Sequence, residues 1–86
     1  MNLHKEEILQ NHCYTKLVYQ RINKKLNSSF SNSEIEVLIK KVLIETEVAQ
    51  FEKIGKNFYV SNKKHNIKVT VNSNTFRIIT VDRLEK

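Results

Sequence analysis

Apolar residues change their spacing once along this chain, near residue 48. Before that point Leu3, Leu9, Cys13, Leu17, Ile22 and Leu26 recur at helical intervals, with Ile8 and Val18 widening the stripe. The spacing predicts one amphipathic helix over residues 3 to about 26. Asn2 is placed to cap it, Glu6 and Glu7 suit the positive end of its dipole, and Lys24 and Lys25 suit the negative end. The stretch NSSFSNS, 27–33, ends it, because Ser and Asn side chains compete for backbone hydrogen bonds. Ser33 followed by Glu36 has capping-box spacing, ahead of Ile35, Leu38, Ile39, Val42 and Leu43, so a second helix is expected from 34 to about 46. Neither stripe can be buried by its own helix, and the rest of the chain must cover both.

After residue 48 the pattern alternates. Gly55, the only glycine, is followed by Lys56 and Asn57, which is turn chemistry between two β-prone runs, and predicts a hairpin of about 48–54 with 57–62. NKKHN, 62–66, is a polar turn, and IKVTV after it has the period of a strand with one buried face. A tight turn at Ser73 and Asn74 would set Val71 opposite Phe76, Val69 opposite Ile78 and Ile67 opposite Thr80, all on one face. Lys68, Thr70, Arg77, Ile79 and Val81 then share the other face. The expected fold is α+β: two amino-terminal helices packed on a small antiparallel sheet of three to four strands. All 86 residues form one domain, helical over about 3–46 and sheet over about 48–83. Ile79 and Val81 would need a cover on the open face, for which a homodimer through that face is one solution.

Charge adds direction to this frame. Residues 1–50 hold seven Lys or Arg against six Glu, and residues 51–86 hold eight against three acids, so the carboxy-terminal part carries +5 of the net +6. A field of that sign attracts phosphate backbones or an acidic protein face. One cysteine permits no internal disulfide, the apolar runs are far short of a membrane span, and the start of the chain lacks a signal-peptide pattern. A soluble cytoplasmic protein without membrane contact is expected.

GKNFYV at 55–60, VTVN at 69–72 and IIT at 78–80, in that order and spacing, resemble a family of small bacterial proteins known as a domain of unknown function. The likeness covers about the last 35 residues. In that family the threonine of the last motif is often followed by a small residue and a histidine, where this chain has Val81, Asp82 and Arg83. The resemblance implies no reaction, ligand or catalytic residue. The plan of helices followed by a basic antiparallel sheet is also similar to the RelE-like ribonuclease toxins, an analogy of fold alone.

The residues themselves narrow the chemistry. A metal-dependent nuclease needs clustered carboxylates or a His and Cys constellation, and His12 and Cys13, adjacent on a helix, diverge; Cys13 is expected in the core. No metal or other cofactor is implied, and a single glycine builds no phosphate-cradling loop. Metal-free RNA cleavage would call on His65, Lys68, Tyr59 and Arg77, which converge only if the first hairpin pairs beside the second. Binding asks less. Lys56, Lys63, Lys64, Lys68, Arg77 and Arg83, with Tyr59 for stacking and His65 beside them, could engage RNA or DNA, or the acidic face of a nucleoprotein complex. The expectation is therefore a noncatalytic basic binding module acting through its sheet. Two alternatives stand beside it. One is a phage or mobile-element inhibitor of a host nuclease or defence complex, acting by protein binding in the manner of an anti-CRISPR. The other is a metal-free RelE-like toxin.

Overall fold

The computed structural model describes residues 4–84. Three helices, α1 (His4–Asn11), α2 (Val18–Leu26) and α3 (Asn32–Glu45), precede a 3-10 turn at Val48–Gln50 and four strands. The strands β1 (Phe51–Ile54), β2 (Asn57–Asn62), β3 (Ile67–Asn72) and β4 (Ile78–Arg83) form one antiparallel sheet in the order β1-β2-β3-β4. The fold is α+β, as the change of apolar period requires. Among the described residues no helix is long and apolar enough to cross a membrane.

The predicted helix 3–26 is two helices. His12 to Leu17 leave the helical path, and Cys13 instead forms an isolated parallel bridge with Arg77. Its N–H donates to the carbonyl of Phe76 at 3.0 Å, and its carbonyl accepts from Ile78 N–H at 2.9 Å. His, Cys, Tyr and Thr in a row are weak helix formers, so a tertiary ladder bond displaces helical ones there. The break also resets the phase: Ile8, Val18, Ile22 and Leu26 are buried, whereas Leu17 and Cys13 are exposed. The expected core place of Cys13 is thus corrected. The Asn2 cap and Leu3 lie outside the described residues.

The helix α3 starts two residues earlier than predicted. Ser31 Oγ accepts from Glu34 N–H at 3.2 Å and Glu34 Oε1 accepts from Ser31 N–H at 2.8 Å, so the capping box is Ser31 with Glu34, not Ser33 with Glu36. Glu36 is used elsewhere: Tyr19 Oη donates to it at 2.6 Å, tying α2 to α3 and pushing the tyrosine pKa up to about 12.

The largest correction is the register of the last hairpin. Asn72 Oδ1 accepts from the N–H groups of both Asn74 and Thr75, and Phe76 N–H bonds back to Asn72 O, so the turn is longer than two residues. Phe76 takes a left-handed φ of 60°. Val69 therefore faces Val81, Thr70 faces Thr80 and Lys68 faces Asp82, with a bulge between Thr70 and Val71 that keeps Ile78 opposite Val71. An odd shift turns each side chain of β4 to the other face, while the bulge exempts Ile78. Val81, expected on the open face, is fully buried, and Thr80, expected in the core, is not.

Burial of the apolar strand residues then follows alternation, and Thr70, on the other face, is buried as well. Phe51, Phe58, Val60, Ile67, Val69, Val71, Ile78 and Val81 join Ile8, Val18, Ile22, Leu26, Ile35, Ile39, Val42 and Leu43 in one cluster. Apolar side chains from all three helices and one alternating set of strand positions share this core, which supplies the main driving force for the fold.

Candidate nucleic-acid interface

The strand positions that do not join the core carry few net charges. Glu52, Tyr59, Thr70 and Thr80 stand side by side from β1 to β4, and Ser61, Lys68 and Asp82 form the next row. Glu52 and Asp82 thus offset Lys68. Tyr59 is half-buried, with the Lys68 ammonium 5.7 Å from its ring centre, a cation–π arrangement. The expected pairing of Lys68 with Arg77 on this face is not formed. Lys68 is in register with Asp82, whereas Arg77 precedes β4 and bridges Cys13.

The remaining predicted residues lie at the ends of strands. Lys56 is exposed in the β1–β2 turn, where its carbonyl accepts from Ser73 N–H at 2.8 Å. Lys63 and Lys64 are exposed in the β2–β3 turn, and Lys64 Nζ pairs with Glu45 at 2.9 Å. His65 Nε2 meets the same Glu45 oxygen at 3.1 Å. The Lys64 and His65 hydrogen bonds hold the Glu45 carboxyl below its ordinary pKa. Arg83 is exposed, and its Nη2 donates to the carbonyl of Leu26 at 2.9 Å, so its guanidinium is engaged at the end of α2. Of the set considered for RNA cleavage, the first hairpin does pair beside the second, through β2 and β3. That brings Tyr59 and Lys68 together but sends His65 to α3 and Arg77 to the Cys13 bridge. Among the described residues no group of three or more His, Cys, Asp or Glu is placed to hold a metal ion.

A second basic surface lies on α2, and sequence reasoning passed over it. Gln20, Arg21, Lys24 and Lys25 are exposed, and Leu17 at the helix start is 67% exposed. Their spacing sets Leu17, Gln20 and Lys24 on the side of α2 opposite to buried Val18, Ile22 and Leu26, with Arg21 and Lys25 on the flank that adjoins β4. Arg21 Nη1 donates to Ile79 O at 3.1 Å, and Arg77 lines the same crevice with Thr15, Leu17 and Arg21. Lys25 pairs with Asp82 at 3.2 Å, half-exposed. The signal was in the chain: residues 8–33 hold Lys16, Arg21, Lys24 and Lys25 and no Asp or Glu. Counting charge over residues 1–50 buried that run under the six Glu that flank it on either side.

No curated protein and no solved structure matches the chain. A family described as Protein of unknown function (DUF3781) matches residues 6–82, taking in the helices as well as the sheet that carried the short motifs. Since the matched span runs from the first turn of α1 to the penultimate residue of β4, the chain belongs to the DUF3781 family.

Proposed function

We propose that this protein is a small, basic, noncatalytic binding module of the cytoplasm that engages RNA or DNA, or a protein carrying them, by its phosphate charge. The observation that carries the reading is the basic flank of α2, where Lys24 and Arg21 meet no carboxylate of their own helix and Lys25 shares its charge with Asp82 of β4. Arg21, Lys24 and Lys25 project from one helix, and Arg77 adjoins Arg21 across the crevice to β4. Cations on a regular helix can follow a phosphate backbone, and each contact releases counterions, so affinity is supplied largely by charge. Lys56 and Lys63 on the strand turns extend the same field, whereas Lys64 is paired with Glu45 and the row holding Lys68 is offset by Glu52 and Asp82. Phosphate contacts position without specifying, so binding is expected to be nearly independent of sequence.

Fluorescence anisotropy with generic RNA and DNA tests the reading at low salt. The double variant Lys24→Ala with Lys25→Ala is expected to weaken binding while its circular dichroism stays that of the parent. Absence of binding at low salt overturns the proposal in favour of an inhibitor that docks on a nuclease or defence complex through protein contacts. Metal-free cleavage of labelled RNA that disappears in His65→Ala would replace it with the toxin-like enzyme.

A further inference from the structure

Three of the largest exposed apolar side chains fall on one line. Phe30 is 40% exposed, Val37 67% and Ile44 50%, and they are spaced seven residues apart. Phe30, Val37 and Leu38 line one shallow groove with Glu34 and Lys41, and Val37, Lys41 and Ile44 line the next with Lys40 and Glu45, so the stripe is continuous. It lies on the side of α3 opposite to Ile35, Ile39, Val42 and Leu43, which the core has already taken. Val37 and Ile44, seven residues apart, carry the seam on α3 itself, and Phe30, just ahead of the Ser31 cap, extends it through the groove it shares with Val37 and Leu38.

We propose that this seam is the interface of an antiparallel homodimer with its two-fold axis at Val37. The occupant follows from the symmetry of the pattern. Rotation about Val37 sets Val37 on its own copy and brings the Phe30 end of each seam toward Ile44 of the other copy, so the apolar line meets itself. The same rotation carries Glu34 across from the Lys40 and Lys41 pair, twice, so the flanks attract where the apolar line meets itself. Glu34 is already held in place by Ser31 N–H at 2.8 Å, which spares part of the ordering cost. Val81 is buried within the monomer and Ile79 is half-buried, which leaves a dimer through the open strand face less apolar surface to cover.

The helix is 14 residues, about 21 Å long, so the contact falls below the roughly 800 Å² per partner of a standard interface. A dissociation constant on the order of tens of micromolar is expected. Sedimentation velocity of the full chain across that range should show mass rising from one copy to two. Val37→Glu, at a solvent-facing position, should raise the dissociation constant at least about tenfold with an unchanged melting temperature. In a Cys13→Ser background, Val37→Cys should form a disulfide-linked dimer under mild oxidation, and Lys24→Cys should not. A monomer at every concentration overturns the proposal, as does a dimer that persists in Val37→Glu. Cross-linking no better than in the Lys24→Cys control would do the same.

Discussion

Asn62 at the end of β2 donates its Nδ2 to Thr46 Oγ1 at 2.9 Å, and both side chains are almost fully buried, at 4% and 2% exposure. The hydroxyl of Thr46 passes its own hydrogen to Val42 O at 2.6 Å, and Asn62 Oδ1 accepts from His65 N–H at 2.8 Å. One amide thus ties the end of α3 to the β2–β3 turn. Asn62→Ala is expected to cost about 2–4 kcal/mol, since it removes the donor to the buried Thr46 oxygen and leaves the His65 N–H without its acceptor. Thr46→Val should cost about 1–2 kcal/mol, and the double variant less than the sum, because the two share one network. Urea melts of the three variants check this; strict additivity would show that the bond contributes nothing.

Val69 and Lys68 are neighbours in β3 with opposite roles. Val69 is fully buried in the shared core, whereas Lys68 is only half-buried, over the Tyr59 ring. Val69→Asp should cost at least about 3 kcal/mol by burying an unpaired charge, and Lys68→Ala should stay within about 0.5–1 kcal/mol. Thermal unfolding of the pair decides it, and equal losses would contradict the face assignment.

Glu45 gives the fold an acid-sensitive contact. Its folded pKa lies below the ordinary value because Lys64 and then His65 bond its carboxylate. A lowered folded pKa means stabilisation present above the unfolded value, about 4.3, and lost as pH falls through the folded one. Glu45→Gln should therefore lower the melting temperature near neutrality and leave the variant and parent alike in strong acid. The pair is solvent-exposed, so salt should shrink the difference. A gap that widens as the pH falls would contradict the sign.

Nucleic-acid binding should respond to salt in proportion to the phosphates engaged. Between about 50 and 200 mM salt the affinity is expected to fall steeply, and losing Lys24 and Lys25 should make the slope of log K against log salt shallower by about two on duplex DNA. A slope unchanged in that variant would place the contacts elsewhere, and the parallel variant Lys63→Ala with Lys64→Ala then tests the β2–β3 turn.

Elements whose physics is local were legible in the chain. Alternation in IKVTV and NFYV predicted strands and their inward residues, and Gly55, at φ +61°, marked the β1–β2 turn that only a residue tolerant of left-handed backbone fills without strain. The apolar spacing of Ile35, Ile39, Val42 and Leu43 predicted the inner side of α3, with the cap misplaced by two residues because Ser31 and Ser33 offer the same chemistry. What depends on distant partners was not legible. Residues 12–17 read as helix until Cys13 finds Arg77, just ahead of β4, a pairing across 64 positions of chain. The turn after Asn72 decides the register through two side-chain hydrogen bonds, and a register error of odd size exchanges Thr80 and Val81 between core and exterior. The candidate surface divided in the same way: the sequence alone determined that the chain carries +6, but the tertiary structure decided where that charge is free to act. It set Asp82 beside Lys68, turned Arg83 to the end of α2, and brought Arg77 to Arg21, because a side chain's field depends on what folding places next to it.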